Sequence, residues 1–287
     1  MTATIIDGKA LAKQIRQEIR EGTQQFIEQY GRAPGLAVIL VGEDPASKIY
    51  VRNKGRACEE VGFVSRQEHL PASTSQEDLI ALVQSLNEDA EIDGILVQHP
   101  MPDQIDELRV FAAIDPGKDV DGFHPQNVGN LCIGQECSVA CTPKGVIEML
   151  RRYEVPIRGK RTTIVGRSNI VGKPMIQLLL REHATVTVCH SRTTDLPGEC
   201  RRAEILVVAI GRPEFVQADW IQPGAAVIDV GTNFIERDGK RVQVGDVAFQ
   251  DAKEVAGWIS PSPGGVGPMT IAMLLSNTLQ AARCHSK

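Results

Sequence analysis

Gly166-Arg167-Ser168-Asn169-Ile170-Val171-Gly172-Lys173-Pro174 follows directly on the apolar run Thr162-Thr163-Ile164-Val165. Together they read as a strand, a tight glycine-rich turn and a helix over Met175 to Arg181. Backbone N–H groups and the positive end of a helix dipole converge at such a turn, which suits the pyrophosphate of a dinucleotide. The pattern is G-x-S-x-x-x-G: Ser168 stands where the commonest fingerprint has its second glycine, and the last glycine, Gly172, is displaced by one residue. A plain strand–helix connection would also fit the turn alone, so its surroundings decide.

The next strand, Thr185 to Cys189, runs into His190-Ser191-Arg192-Thr193. An NAD-specific fold usually carries an acid there for the ribose 2′-hydroxyl. No acid is present; a hydroxyl and a guanidinium stand in its place. Arg167 and Arg192 suit the 2′-phosphate of NADP through charge-assisted bonds, with solvated surface charge as the other reading. Gly166, Arg167, Ser191 and Arg192 are therefore candidate cofactor contacts, with Ser168 and Ile170 in the same turn. Gly211 and Thr232 join them because each closes a later strand at the same sheet edge, though either could simply end its strand.

Strand-like and helix-like segments alternate along the rest of the chain. Leu36 to Val41 and Gly94 to Gln98 read as buried strands, Ala46 to Val61 and Gln76 to Ala90 as helices. Four more strands are expected at Arg161–Val165, Thr185–Cys189, Ile205–Ile210 and Ala225–Val230. Gly117 to Cys141, rich in Gly, Asn and Cys, reads as a long loop, and Met269 to Arg283 as a helix opening behind Pro268. The class is α/β, built from parallel crossover units.

Composition narrows the functions. The chain has 287 residues, enough for two cores, and a formal charge of -5 with no Lys/Arg run, which leaves nothing for nucleic acid to bind. No apolar window approaches a membrane span. Leu11, Ile15, Ile19, Phe26 and Ile27 recur at helical spacing among charges, which describes a surface helix and no signal peptide. Seven scattered cysteines contain no C-x-x-C pair, and Cys132, Cys137 and Cys141 fit no zinc pattern; reduced thiols in the cytoplasm are expected.

Chemistry-bearing residues gather before the glycine turn. In Tyr50-Val51-Arg52-Asn53-Lys54, a spacing of four puts Tyr50 and Lys54 on one helix face, although this segment alone reads as a helix carrying an exposed Lys and a partly buried Tyr. Gln98 ends a parallel strand, where side chains are delivered to a cleft, with a cap on its own strand's loop as the other reading. In Lys118-Asp119-Val120-Asp121-Gly122-Phe123-His124-Pro125, no second His or carboxylate pair completes a metal site; no metal is expected. A carboxylate gripping ligand N–H donors is the favoured reading, with a solvated Asx-turn as the other. Pro261 to Thr270 holds three Gly and three Pro ahead of a helix, a loop that lets backbone approach a ligand closely.

Taken in order, YVRNK at 50–54, GILVQHPMP at 94–102, KDVDGFHP at 118–125, TPKGV at 142–146, GRSNIVGKP at 166–174 and PGGVGPMT at 263–270 resemble the bifunctional methylenetetrahydrofolate dehydrogenase/methenyltetrahydrofolate cyclohydrolase family. His99 and Ser262 depart from its pattern, where a Leu and an apolar residue are common. The resemblance implies a folate-binding catalytic domain over 1–140 with the C-terminal helix, 271–287, returning to it, and an NADP-binding Rossmann-like domain over 141–270. It implies oxidation of 5,10-methylenetetrahydrofolate with NADP, then hydrolysis to 10-formyltetrahydrofolate. Lys54 would be the base or proton donor, Gln98 would orient it, Tyr50 would stack along the folate, and Asp121 would bind the pterin's N–H edge. Ser47 would assist in the same cleft, and Pro263, Gly264, Gly265 and Gly267 would line the folate site from the other domain. A cytoplasmic homodimer acting on tetrahydrofolate substrates is implied as well. The other readings are a dehydrogenase-only member, a two-domain amino-acid or shikimate-type dehydrogenase, and a nicotinamide-sensing protein without catalysis.

Overall fold

The computed structural model describes residues 2–286. In chain order the elements begin β1 (Thr4–Ile5), α1 (Gly8–Tyr30), β2 (Gly35–Val41), α2 (Pro45–Val61), β3 (Val64–Leu70), α3 (Gln76–Glu88), β4 (Gly94–Val97), α4 (Glu107–Ala113), α5 (Pro125–Cys132) and α6 (Cys141–Arg152). There follow β5 (Arg161–Val165), α7 (Gly172–Arg181), β6 (Thr185–Cys189), α8 (Leu196–Arg201), β7 (Ile205–Val208), β8 (Ala226–Asp229), β9 (Asn233–Arg237), β10 (Lys240–Val244), α9 (Phe249–Ala252), β11 (Trp258–Ile259) and α10 (Val266–His285). The chain divides into two compact units, one of Lys13–Cys141 with 271–286, the other of Thr142–Thr270 with 2–12.

In the first unit, β2 is paired in parallel by β3 on one side and β4 on the other. Every residue of β2 is buried, as its unbroken apolar run demands. Leu79, Val83 and Leu86 of α3 pack with Ile39, Ile95 and Val97 into one core. Ser75 caps α3, accepting the Asp78 N–H at 3.1 Å while its hydroxyl donates to the Asp78 carboxylate.

The second unit carries a six-stranded sheet in the order β1-β11-β8-β7-β5-β6, with all of its pairings parallel. The chain steps from β5 outward to β6, then returns to the far side of β5 with β7. That reversal opens a crevice beyond the carboxyl ends of these strands.

Three sequence expectations need correction. Residues 2–12 belong with the nucleotide unit: β1 pairs with β11, Thr4 opposite Trp258, and the Asp7 N–H donates to the Tyr153 hydroxyl at 2.8 Å. A two-residue strand is too short to show a period. Gly117 to Cys141 is no featureless loop, since Asp119 bridges Ile95 and α5 follows. The final helix opens at Val266 rather than Met269, because proline in a first turn forfeits no helical hydrogen bond.

Candidate active site

Helix α2 opens at Asp44, whose carboxylate accepts the Ser47 N–H at 2.7 Å, with Pro45 in the first turn. It closes on Gly62, whose left-handed backbone (φ 84°) lets its N–H reach the Cys58 and Glu59 carbonyls. The two caps fix the helix's phase. Val51, Cys58 and Val61 face the core, Ser47 is buried beside Asp44, Tyr50 is 45% exposed, and Lys54, one turn on, is partly buried.

Gln98 extends the line of β4, its N–H donating to the Ile39 carbonyl at 2.8 Å. Its side-chain amide is used at both ends. Nε2 donates to the His99 carbonyl at 2.7 Å, so Oε1 is the atom left to accept from Lys54 Nζ, at 2.8 Å. Turning the amide over would set NH₂ against ammonium and carbonyl against carbonyl. Gln98 therefore presents an acceptor to Lys54 and nothing else.

The two aspartates of the Lys118–Pro125 segment divide their roles. Asp119 is buried and accepts N–H bonds from Gly122, His124 and the Asn127 amide, so it shapes the loop. Asp121 takes no part in that network; the Cys141 thiol donates to its Oδ1 at 3.7 Å. Asn277 steadies the loop from α10 by donating to the Val120 and Val139 carbonyls.

Burial lowers the Lys54 ammonium below its usual pKa, opposed chiefly by the Asp121 carboxylate. Burial likewise raises the Asp121 carboxyl, opposed chiefly by Lys54. The two trends agree: burial weakens the charged form of each group, and each charge partly offsets that loss for the other. Burial pushes the nearby Cys58 thiol up to about 12, which leaves it inert. Among the described residues no three His, Cys, Asp or Glu side chains converge as a metal would require.

In the other unit, the ends of β5, β6 and β7 enclose a pocket of about 340 Å³. Gly166, Arg167 and Ser191 line it, as the sequence suggested. At Gly166 (φ 127°) an added Cβ would lie 2.2 Å from the Ala209 carbonyl oxygen, so only glycine passes there. The walls are cationic and hydroxylic, a donor set suited to a phosphate-bearing dinucleotide.

Ser168, Ile170, Arg192, Gly211 and Thr232 are not lining residues. The Ser168 hydroxyl accepts the Val171 and Gly172 N–H groups at 3.2 and 3.4 Å, so it caps α7. The Gly211 N–H is taken by Asp246 at 3.0 Å, and Thr232 is exposed beyond β8. His190, Arg212 and Phe215 line the pocket instead and escaped the sequence reading. Arg212 had a signal, since it follows the strand-closing Gly211; His190 and Phe215 had none.

The loop before α10 lies in this same unit. Gly264 adopts φ 101°, its carbonyl accepts the Lys9 N–H at 2.9 Å, and the Ser262 hydroxyl donates to the Gly231 carbonyl at 2.8 Å. Pro263, Gly264 and Gly265 thus form a pinned backbone arch, and Gly267 stands in the first turn of α10.

The tetrahydrofolate dehydrogenase/cyclohydrolase family models match this chain twice, the catalytic domain over residues 6–121 and the NAD(P)-binding domain over 140–286. The chain belongs to that family. The bifunctional protein FolD of Moorella thermoacetica is 56% identical over 99% of this chain and 100% of its own. The solved FolD methylenetetrahydrofolate dehydrogenase/cyclohydrolase of Campylobacter jejuni is 46% identical, with a TM-score of 0.95 over 98% of this chain and 99% of its own. The Trypanosoma brucei dehydrogenase-cyclohydrolase, solved with NADP and an inhibitor, is 42% identical at a TM-score of 0.95, covering 99% and 98%. Membership in this family excludes the amino-acid and shikimate-type dehydrogenase reading.

Proposed function

We propose that Lys54, Gln98 and Asp121 form the reacting centre of a bifunctional enzyme that oxidises 5,10-methylenetetrahydrofolate to the methenyl cation and hydrolyses that cation to 10-formyltetrahydrofolate. The observation that carries the reading is Lys54 Nζ held at 2.8 Å by an amide with no other acceptor duty, in an enclosure that depresses its pKa.

Bound NADP supplies the hydride acceptor for the first step. The carbon losing hydride sits between N5 and N10, and both nitrogens stabilise the resulting cation. The chain's task in that step is orientation, not proton transfer. Asp121 would hold the pterin's N–H edge, the exposed ring of Tyr50 would lie along the folate, and Ser47 would support the helix that carries both Tyr50 and Lys54. The segment Pro263–Gly267 would give the folate a backbone surface.

Hydration of the cation is different. Water must lose a proton as it attacks, and N5 must gain one as the ring opens. Neutral Lys54 takes the first proton and returns it to N5, the adduct's hydroxyl proton leaves to solvent as the C–N5 bond breaks and the formyl C=O forms, and a cationic ligand nearby keeps the lysine's pKa low through like charge. Gly166, Arg167 and Ser191 would receive the cofactor, with Arg167 on its 2′-phosphate. Ser168, Ile170, Arg192, Gly211 and Thr232 would support them around the turn and strand ends.

Tetrahydrofolates are the substrates; no nucleic acid is expected as a partner, and the family resemblance supports a cytoplasmic homodimer, which sedimentation of the purified chain tests. The functional reading is tested by following methenyl absorbance from methylenetetrahydrofolate with NADP and NAD in parallel, then its decay. Turnover with NADP followed by decay faster than the uncatalysed rate is expected. A stable methenyl product would leave a dehydrogenase-only enzyme.

A further inference from the structure

Opposite Arg167, His190 and Ser191, the second wall of the cofactor pocket is built from Ile210, Arg212 and Phe215. The backbone of that wall is held from behind. Asp246, fully buried, accepts the N–H groups of Ile210, Gly211 and Arg212 at 2.7, 3.0 and 2.8 Å, and the Asn233 amide at 2.8 Å. Asp229 in turn accepts the N–H of Asp246 at 2.9 Å. A loop whose three consecutive N–H groups converge on one carboxylate has little freedom, so the start of the Arg212 side chain is fixed.

The guanidinium is placed as well. Its Cζ stands 4.0 Å over the centroid of the Phe215 ring, and among the described residues it pairs with no carboxylate. A guanidinium is planar and has two stacking faces; Phe215 covers one. The pocket's volume of about 340 Å³ is near the lower end of the ~300–1,000 Å³ usual for ligand sites, which suits the adenosine half of a dinucleotide rather than the whole. In a sheet of this order the adenosine ribose meets the end of the strand that follows the glycine turn, here His190–Ser191, and Ile210–Arg212 follows the strand on the other side of β5.

We propose that Arg212 is a further cofactor-binding residue, the platform on which the adenine ring stacks, with Phe215 behind it. The inference rests on the NADP reading above and deepens it. It differs from a second charge on the 2′-phosphate, because stacking needs the flat guanidinium and is indifferent to that phosphate.

Trp220, one of two tryptophans, lies edge-on to Phe215 at 5.4 Å, so its emission reports on this wall. The full-length chain is titrated with adenosine 2′,5′-bisphosphate and with AMP, as wild type, Arg212→Ala and Arg212→Lys, each shown by circular dichroism to be folded. Arg212→Ala is expected to weaken both fragments by a similar factor, roughly 3–30-fold, and Arg212→Lys is expected not to restore them. Arg167→Ala is expected to weaken the bisphosphate alone. Unchanged binding in Arg212→Ala overturns the platform; so does loss confined to the bisphosphate, or rescue by lysine. Wild type binding neither fragment overturns the NADP reading itself, a result distinct from the other three.

Discussion

The Lys54 cluster and the Gly166 turn are suited to their proposed ligands by different means. Around Lys54 the backbone is ordinary helix and strand end, and the chemistry lies in the Gln98 amide and in two side chains, Lys54 and Asp121, whose charges are tuned by burial and by each other. Around Gly166 the chemistry lies in the Arg167 guanidinium and the Ser191 hydroxyl, on a backbone that requires the absence of a side chain, since a Cβ would meet a carbonyl at 2.2 Å. The first kind of site fails by losing a proton's destination while the fold survives. The second fails by steric displacement. Substitutions in the two should therefore leave different signatures.

The largest effect is expected at Lys54. Lys54→Met should cut hydrolysis of the methenyl cation by ~10²–10⁴, the range of a positioned acid–base group, while oxidation falls far less. Separate assays of the two steps check this; equal losses would mean that Lys54 works in orientation. Gly166→Ala comes next. Forcing a Cβ onto a backbone at φ 127° costs on the order of 1–3 kcal/mol, so KM for NADP should rise while hydrolysis, which uses no nicotinamide, holds its rate in the folded fraction.

A smaller effect belongs to the scaffold behind the second site. Burial pushes the Asp229 carboxyl up to about 7, against three backbone N–H donors from Gly231, Asp246 and Val247. An unfolded aspartate releases its proton near ~4. The folded state thus holds a proton that the unfolded state has lost, and its contribution to stability is full below ~4 and declines as pH rises through about 7. Melting temperatures of wild type should fall across that window, on the order of 2–4 °C for each kcal/mol, and Asp229→Asn should remove that part of the slope. Parallel profiles would remove Asp229 from the account.

What was legible in the sequence follows from the same division. Buried parallel strands such as β2 and β7 announce themselves as apolar runs, and Lys54, Gln98 and Asp121 sit in segments whose residue types carry the chemistry. β3, Val-Ser-Arg-Gln-Glu-His-Leu, did not announce itself, because an edge strand carries charge and loses the apolar pattern. The family resemblance implies Ser168 as a cofactor contact; its capping of α7 depends on turn geometry that residue identity does not encode. Asp246, which holds the Ile210–Arg212 wall, lies 34 to 36 positions from the groups it binds, a pairing that only the folded sheet creates.

The central claim is that Lys54 works as an amine whose pKa is lowered by burial and whose hydrogen-bond partner is an amide acceptor. Gln98→Glu tests it most directly, because it replaces that acceptor with a charge of nearly the same shape. The pH profile of cyclohydrolase kcat should then shift to alkaline pH by roughly 1–3 units, since an adjacent carboxylate favours the ammonium. Wild-type and Gln98→Glu profiles that superimpose would contradict the account.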